Sequence, residues 1–261
     1  MYRFCTLFSG SSGNSTYIGT DHEGVLVDIG KNAKQTTLSL TELGLAPECV
    51  KAVFITHEHI DHVAGLRVFC NKYKIPVYAT LGTLQALEDA GHLKGDFPVF
   101  QITDYADIGD FHIQCFNTLH DSADSCGYTI ELLNGLKTAV ATDLGIVTDE
   151  VEEAIIGSKT LLLESNHDIN MLQTGSYPYY LKRRILSENG HLCNDDAAKT
   201  VLKLVENGAE HILLGHLSSE NNYPDLAFQT TKSVMDSAGV LLDKDYTLTV
   251  ASRHEPKTVM I

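Results

Sequence analysis

The chain has 261 residues, of which 43% are hydrophobic and 20% are charged, and its formal net charge is −15 at pH 7. This composition is ordinary for a globular protein that can bury a large core, whereas the charge argues against a generic nucleic-acid binder with a basic face. No apolar stretch approaches the roughly 20 residues of a membrane helix, and the first residues lack a signal-peptide pattern, so we expect a cytoplasmic protein without a membrane partner.

Apolar runs and helical periodicity predict strands and helices that alternate along the chain. Strands are predicted at 2–8, 15–19, 24–28, 51–55, 76–79, 98–102, 111–117, 127–133, 137–142, 159–164, 211–214 and 246–250. Helices are predicted at 33–43, 64–74, 82–90, 147–156, 177–187, 194–207 and 223–238. Asn134-Gly135 predicts a hairpin turn. This order predicts an α/β (α+β) fold of two facing sheets covered by helices, an αββα sandwich, as a single domain over 1–261.

The densest group of metal-binding side chains lies in a six-residue segment that follows a predicted strand. It reads His57-Glu58-His59-Ile60-Asp61-His62. Imidazole nitrogens and carboxylate oxygens suit borderline cations such as Zn²⁺, Mn²⁺ or Fe²⁺. The histidines and Asp61 together exceed what one ion usually accepts from so short a segment, so we expect that two ions share it. The alternative is a solvated polar loop whose histidines bind nothing.

Side chains of the same chemistry follow later predicted strands. His120, Asp143 and His216 each stand where an apolar run ends. Open α/β architectures place their sites at such strand ends. The repeated placement favours a functional site over a solvated loop.

The ordered pattern of these donors resembles the metallo-β-lactamase-fold hydrolases. Asp28, at the end of a predicted strand, matches that family's first acidic motif, a structural aspartate near the site. Within the superfamily, the chain is similar to the YycJ/WalJ-type branch. The segments that carry this similarity are Phe8–Ser15, Glu164–Asp168, Gly190–Leu192, Gly215–Ser218 and Asn221-Asn222.

The resemblance implies a dinuclear metal site with no organic cofactor. It assigns His57, His59 and His120 to the first ion, Asp61, His62 and His216 to the second, and Asp143 to both as a bridge. The implied nucleophile is a metal-bridging hydroxide, and Asp61 counts among the catalytic residues. The short interval between Asp143 and His216 leaves no room for the inserted domain of β-CASP nucleases.

Two further histidines, His167 and His191, are not needed to fill these metal shells. His167 follows the predicted strand at 159–164, and His191 follows a glycine. A lone histidine is more often structural, but these contexts favour a place beside the substrate phosphate, as a phosphate ligand or as the leaving-group acid. A hydrogen bond to Asp168 would favour a protonated imidazole at neutral pH.

Two polar segments have a structural and a functional interpretation. The loop Ser9–Ser15 is either a tight turn or a backbone nest in which Ser12, Asn14 and Ser15 contact phosphate. It is not a nucleotide P-loop, because no Lys-Ser/Thr pair follows its glycines. The basic cluster Lys182-Arg183-Arg184 is either a solvated helix face or a contact to the DNA backbone.

The branch that the chain resembles implies phosphodiester hydrolysis, specifically 5′-to-3′ degradation of double-stranded DNA from its ends. Two divalent ions would offset the negative charge where a phosphate binds. Two other classes stay open: a hydrolase of a small phosphodiester, lactone or thioester, and a regulatory protein of a cell-wall signalling system. The intact donor set argues against the regulatory protein. The sequence does not predict the oligomeric state.

Overall fold

The computed structural model describes residues 1–261 and divides them into two compact units. Unit 1 comprises Met1–Cys115, Ser122–Tyr128 and Ala251–Ile261, and unit 2 comprises Phe116–Asp121 and Thr129–Val250. Each unit has its own hydrophobic core. That residues 1–261 act as one domain without a β-CASP insertion stays a prediction.

Strands and helices alternate through both units. The strands are β1 (Arg3–Phe8), β2 (Ser15–Gly19), β3 (Gly24–Val27), β4 (Val50–Phe54), β5 (Val77–Ala79), β6 (Val99–Gln101), β7 (Tyr105–Ile108), β8 (Phe111–Asn117), β9 (Cys126–Leu132), β10 (Lys137–Ala141), β11 (Thr160–Glu164), β12 (His211–Gly215), β13 (Thr247–Val250) and β14 (Lys257–Met260). The helices are α1 (Ala33–Glu42), α2 (Ile60–Val63), α3 (Leu66–Tyr73), α4 (Leu81–Asp89), α5 (Asp149–Ile155), α6 (Ile169–Thr174), α7 (Tyr179–Ile185), α8 (Asn194–Glu206) and α9 (Pro224–Ser237). None of them has both the length and the apolar character needed to span a membrane.

The first sheet lies in unit 1 and has seven strands in the order β14-β1-β2-β3-β4-β5-β6. The pairs from β14 to β3 are antiparallel, and those from β3 to β6 are parallel. Its core combines strand residues such as Leu26 and Val53 with helix residues such as Leu40 and Phe69. The parallel pairing brings the carboxyl ends of β3 and β4 side by side.

The second sheet has seven strands in the order β13-β12-β11-β10-β9-β8-β7. Within unit 2, β10 to β13 are parallel neighbours. β11 is buried along its whole length, which is typical of a parallel strand covered on both faces. Val151, Val201 and Ala227 add residues of α5, α8 and α9 to this core. The carboxyl ends of β10, β11 and β12 therefore lie at one edge.

The predicted elements agree closely with the structure. Every predicted strand and helix forms, no end shifts by more than two residues, and the turn at Asn134-Gly135 is present. The sequence analysis missed α2 and α6, which are too short to show a helical period. It also missed β7 and β14, whose residues are exposed or half-buried. Strands of that kind lack the apolar run from which strands were predicted.

Candidate metal centre

Unit 1 carries its candidate ligands on the loop that follows β4. Because β3 and β4 are parallel and in register to their ends, Asp28 and the loop at residues 56–62 leave the sheet at the same edge. Asp28 has a left-handed backbone with φ of 61°. Non-glycine residues adopt this conformation at an energetic cost, and they cluster at functional sites.

The Asp28 carboxylate orients the imidazole of His62. Both side chains are buried, and His62 Nδ1 donates to Asp28 Oδ2 over 2.7 Å. Thr56 donates its backbone N–H and its hydroxyl to the same carboxylate, each over 2.9 Å. Burial raises the pKa of Asp28, while His62 and Thr56 act in the opposite direction. If His62 binds a metal ion, Nε2 is the ring nitrogen that would coordinate it, because Nδ1 is bonded to Asp28.

The remaining donors of the loop lie beside His62. The ring centroid of His57 is 4.1 Å from that of His62 and 4.5 Å from that of His59. His57 Nδ1 lies 3.0 Å from the hydroxyl of Thr56, which holds this ring in place. Asp61 Oδ2 is 3.7 Å from His62 Nε2. The loop thus presents three imidazoles and a carboxylate in close contact.

The small-residue loop before β2 packs against the ligand loop. Asn14 N donates to Asp61 O over 2.8 Å, and Asn14 Oδ1 accepts from Gly10 N over 2.8 Å. Asn14 Nδ2 lies 3.0 Å from His62 Nε2. Gly30 permits this packing, because a Cβ there would lie 1.7 Å from Asp61 O. The small-residue loop therefore fixes the backbone that carries Asp61.

The three side chains predicted to contact phosphate have partners within the protein. Ser12 is exposed and accepts from Lys31 Nζ over 3.0 Å. Ser15 is buried and donates to Asp28 O over 2.9 Å. Asn14 is turned towards the ligand loop, as described above. Direct phosphate contact by these residues stays a prediction.

Unit 2 gathers its candidate ligands from the carboxyl ends of three parallel strands. Asp143 follows β10, Glu164 ends β11 and His216 follows β12. The strands pair in register up to these ends, so the three side chains leave the sheet together. Asp143 and His216 have left-handed φ values of 58° and 53°. Both units thus have left-handed, non-glycine backbone just beyond strand ends, at the sheet edge where their candidate ligands lie.

Glu164 is the buried centre of this second group. His191 Nδ1 and His216 Nδ1 both donate to its Oε1 over 2.8 Å, and Leu144 N donates to its Oε2 over 2.9 Å. Burial opposes the ionisation of Glu164, but the two imidazoles outweigh it and lower the pKa to about 2. Together with Asp143, these side chains offer ligand atoms that all lie within 4.8 Å of one another. One carboxylate therefore orients two histidines.

His120 is held by the loop that carries His191. Its Nδ1 donates to Gly190 O over 3.1 Å, and its Nε2 lies 3.8 Å from Asp143 Oδ1. Burial lowers the pKa of His120, although Asp143 acts in the opposite direction. A lower pKa favours the neutral imidazole that metal binding requires.

His167 is buried three residues beyond the end of β11. Neither of its ring nitrogens has a hydrogen-bond partner. Burial lowers its pKa to about 4, so the imidazole is neutral at pH 7. The hydrogen bond to Asp168 that we considered is not formed, because Asp168 accepts from Met171 N over 2.8 Å and caps α6. The condition for a protonated His167 is therefore not met.

Buried amides tie the ends of β11 and β12 together. Asn166 Nδ2 donates to His216 O over 2.8 Å. Asn222 Nδ2 donates to Ser165 O over 2.9 Å and to Asn194 Oδ1 over 2.8 Å. Fully bonded polar networks of this kind rigidify their surroundings. This network fixes the backbone of His216.

The structure places the predicted site residues in two groups. Unit 1 brings together His57, His59, Asp61 and His62, with Asp28 and Asn14 behind them, and unit 2 brings together His120, Asp143, His191 and His216. Sequence analysis missed the part played by Glu164. The same strand-end rule that selected Asp143 and His216 could have found it, because Glu164 ends an apolar strand. The union of both groups in one site stays a prediction.

The residues present fit divalent metal ions. The predicted ligand histidines that bond an oxygen through Nδ1, and so would coordinate through Nε2, are His57, His62, His120 and His216. Metal-binding histidines use this arrangement, which fixes the tautomer and the ring orientation. Imidazole and carboxylate donors without a thiolate suit Zn²⁺, Mn²⁺ and Fe²⁺ alike. The chemistry of the donors therefore supports a divalent metal without selecting one.

Comparisons with known proteins find a matching family and similar proteins. Residues 24–217 match the family described as β-lactamase superfamily domain. Exodeoxyribonuclease YycJ from Bacillus anthracis is 39% identical over 241 residues, which cover 90% of each chain. Exodeoxyribonuclease WalJ from Streptococcus pneumoniae is 35% identical over 249 residues, which cover 94% of this chain and 92% of the relative.

A solved structure confirms the predicted fold class. The metallo-β-lactamase fold protein YhfI from Bacillus subtilis superimposes with a TM-score of 0.73 over 99% of this chain and 100% of that chain. The two proteins are 17% identical, so this likeness concerns the fold alone. The predicted fold class, that of the metallo-β-lactamase fold, is therefore confirmed.

Proposed function

The chain belongs to the β-lactamase superfamily and is a hydrolase of the metallo-β-lactamase fold, and from this premise we propose that it degrades double-stranded DNA from its ends. We propose 5′-to-3′ polarity and two divalent ions, Zn²⁺, Mn²⁺ or Fe²⁺. The cytoplasm is the proposed place of action, since DNA ends and reduced thiols occur there and all six cysteines are unbridged.

One observation carries this proposal. Asp143, Glu164, His191 and His216 converge within 4.8 Å in a chain that is 39% identical to an exodeoxyribonuclease over nearly its whole length. The carboxylate and imidazole donors account for a metal-dependent hydrolase, and the named relative points to phosphodiester bonds in DNA.

The proposed metal ligands keep the assignment made from the sequence. One ion would be held by His57, His59 and His120, the other by Asp61, His62 and His216, and Asp143 would contribute to both. The orientation of the histidines supports this assignment, because Nδ1 hydrogen bonds direct Nε2 to the ion. The backbone of Asp61 is held in place by its packing against Asn14 and Gly30.

When bound, two such ions lower the pKa of a water molecule and stabilise charge on the phosphodiester oxygens. His191 is the proposed donor of the leaving-group proton. It is the more accessible of the two extra histidines, with 19% of its side chain exposed, and Glu164 fixes its ring through Nδ1. In this proposal the leaving-group proton comes from Nε2, the ring nitrogen opposite the one bonded to Glu164.

His167 has a different proposed part. Its neutral imidazole, with both nitrogens buried and unpartnered, is suited to donate a hydrogen bond to a phosphate oxygen rather than to deliver a proton. An unsatisfied buried nitrogen costs about 1–3 kcal/mol, so a bound phosphate would relieve an existing cost. Ser12, Asn14 and Ser15 stay candidates for further phosphate contacts.

End-labelled DNA tests the proposal. Purified protein loaded with Mn²⁺ or Zn²⁺ would be incubated with duplexes labelled at either end, with and without a 5′-phosphate. We expect nucleotides to be released from the 5′ end, and Asp61→Ala to release none. A ladder that shortens from the 3′ end would contradict the polarity, and equal release by Asp61→Ala would contradict the metal mechanism.

A second candidate function is the hydrolysis of a small phosphodiester, lactone or thioester. The net charge of −15 favours it, because DNA carries the same sign. Small esters are therefore assayed beside DNA with the same protein. Turnover of small esters with intact DNA would replace the exonuclease by this function, whereas a metal-loaded protein without turnover would favour the regulatory protein.

A further inference from the structure

Helix α7 carries the most exposed aromatic side chains of the chain. Tyr179 and Tyr180 are 76% and 75% exposed, at the start of the helix. The guanidinium carbon of Arg183 lies 6.0 Å from the ring centroid of Tyr179, in a cation–π arrangement. Adjacent exposed aromatic side chains of this kind are a candidate interaction surface.

The neighbouring basic side chains divide into two kinds. Lys182 Nζ donates to Gln173 O over 2.8 Å and to Gly175 O over 2.7 Å, so it holds the segment before α7. Arg184 Nε donates to Asp121 Oδ2. Arg183 is exposed and lies against a tyrosine rather than a carboxylate. The sequence cluster Lys182-Arg183-Arg184 thus anchors the helix through its outer members and presents the middle one.

These anchors connect α7 to two residues of the candidate metal centre. Asp121, the partner of Arg184, directly follows His120, and its N–H donates to Asn189 O over 3.1 Å. The loop after α7 supplies Gly190 O to His120 and then continues into His191. All these contacts lie within unit 2. The helix is therefore fixed to the backbone that carries His120 and His191.

We propose that Tyr179, Tyr180 and Arg183 form a stacking platform for unpaired bases at the DNA end. Tyr180 is one helical turn, about 6 Å along the axis, from the anchor Arg184. A strand whose phosphodiester lies beside His191 would then bring a neighbouring base to the platform. Aromatic faces and arginine are the groups that hold single-stranded nucleic acid without sequence preference. The inference rests on the proposed exonuclease function and adds a base-binding surface to it.

Charge complementarity selects this occupant. The chain as a whole carries −15, so an anionic strand needs a local cation to approach it, and Arg183 supplies one beside the Tyr179 ring. Stacking on tyrosine is indifferent to the identity of the base. This suits an enzyme that must accept every nucleotide in turn.

The test measures DNA binding apart from hydrolysis. Metal-loaded wild type, Tyr179→Ala/Tyr180→Ala and Tyr179→Phe/Tyr180→Phe would be titrated with a hydrolysis-resistant phosphorothioate oligonucleotide, single-stranded or as a blunt duplex. Tyr105→Ala on β7 is the matched control, since Tyr105 is 59% exposed and lies outside α7. We expect the double alanine variant to bind the single strand at least about tenfold more weakly, as stacking magnitudes indicate.

The control variants have expected results of their own. The double phenylalanine variant and Tyr105→Ala should bind like wild type, because ring faces are kept at α7. Thermal unfolding should confirm that all variants are folded. Equal binding of the single strand by wild type and the double alanine variant overturns the platform, while wild-type DNA degradation leaves the proposed function intact. A changed oligomeric state with unchanged DNA binding would identify the tyrosines as a protein contact instead.

Discussion

The two groups of candidate ligands are built in contrasting ways. Unit 1 takes its donors from one short loop after β4, so that His57 and His62 are neighbours in sequence as well as in space. Unit 2 takes Asp143, Glu164 and His216 from the ends of three parallel strands, and Glu164 reaches His216 across 52 positions of the chain. Donors in a loop depend on local backbone conformation, whereas donors on separate strands depend on the register of the sheet.

The groups also differ in how histidines are oriented. Asp28 orients one imidazole, that of His62, and its other hydrogen bonds are accepted from Thr56. Glu164 orients two imidazoles, those of His191 and His216, through a single oxygen. Loss of the Glu164 charge should therefore disturb more of the site than loss of the Asp28 charge.

The largest expected effect comes from removing one acidic donor from each group. Asp61→Ala and Asp143→Ala should each lower the rate of DNA degradation by more than about a thousandfold, because the ions supply several kcal/mol of charge stabilisation. Initial rates on end-labelled duplex measure this. If one variant kept near wild-type activity, the two groups would not serve the same reaction.

The next largest effect is expected from removing the carboxylates that orient the histidines. Glu164→Gln should reduce metal affinity or activity by about 10- to 100-fold, and Asp28→Asn by less, since carboxylates that support metal ligands have effects of this size. Titration with Zn²⁺ and rate measurements at saturating metal separate the two causes. A larger loss in Asp28→Asn than in Glu164→Gln would reverse the ranking drawn from the hydrogen bonds.

Packing behind the unit 1 loop gives a smaller effect, on stability. Gly30→Ala puts a Cβ within 1.7 Å of Asp61 O, so it should destabilise the fold by about 1–3 kcal/mol or more, as overpacking does. Gly44→Ala is the control, because its Cβ meets nothing within 4 Å and it is affected only through φ of 75°. Urea unfolding compares the two. Equal stability of Gly30→Ala and wild type would show that the loop can move to accept a Cβ. The close packing of Gly30 against Asp61 would then not constrain the loop.

The smallest expected effect concerns a surface carboxylate away from both groups. The hydrogen bond from Lys159 lowers the pKa of the Glu210 carboxyl in the folded protein. Ionised Glu210 therefore stabilises the fold at pH values above the pKa that it has in the unfolded chain. This stabilisation is lost as the pH falls through the pKa of Glu210 in the folded protein. Glu210→Gln should therefore cost less than about 1 kcal/mol at pH 7, and the cost should shrink on acidification. Thermal unfolding of wild type and Glu210→Gln from pH 7 to acid checks the direction of this change. A stability difference that grows as the pH falls would contradict it.

The contrast between the groups also explains what sequence could predict. The loop at 57–62 was readable because its donors are adjacent, and His120, Asp143 and His216 because each follows an apolar run. The fold class followed from the order of strands and helices. These features depend on local sequence alone.

Other features depend on which strands become neighbours. The bonds of Glu164 to two histidines require the parallel register of β10, β11 and β12, which a single sequence does not state. The inward orientation of Asn14 and the unpartnered nitrogens of His167 depend on side-chain packing. Which members of Lys182-Arg183-Arg184 are bonded and which is exposed depends on where α7 ends and on which acceptors lie beside it.

Measuring metal content and DNA degradation on the same protein tests most directly the claim that the chain is a metal-dependent DNA exonuclease. Protein purified without chelator would be analysed for bound metal by mass spectrometry, then stripped, reloaded and assayed on end-labelled duplex DNA. The account predicts two divalent ions per chain in wild type, fewer in Asp143→Ala, and a DNA-degrading activity that disappears on chelation and returns with Mn²⁺ or Zn²⁺. Full activity in metal-free protein, or a metal-loaded protein that leaves every DNA end intact, would contradict it.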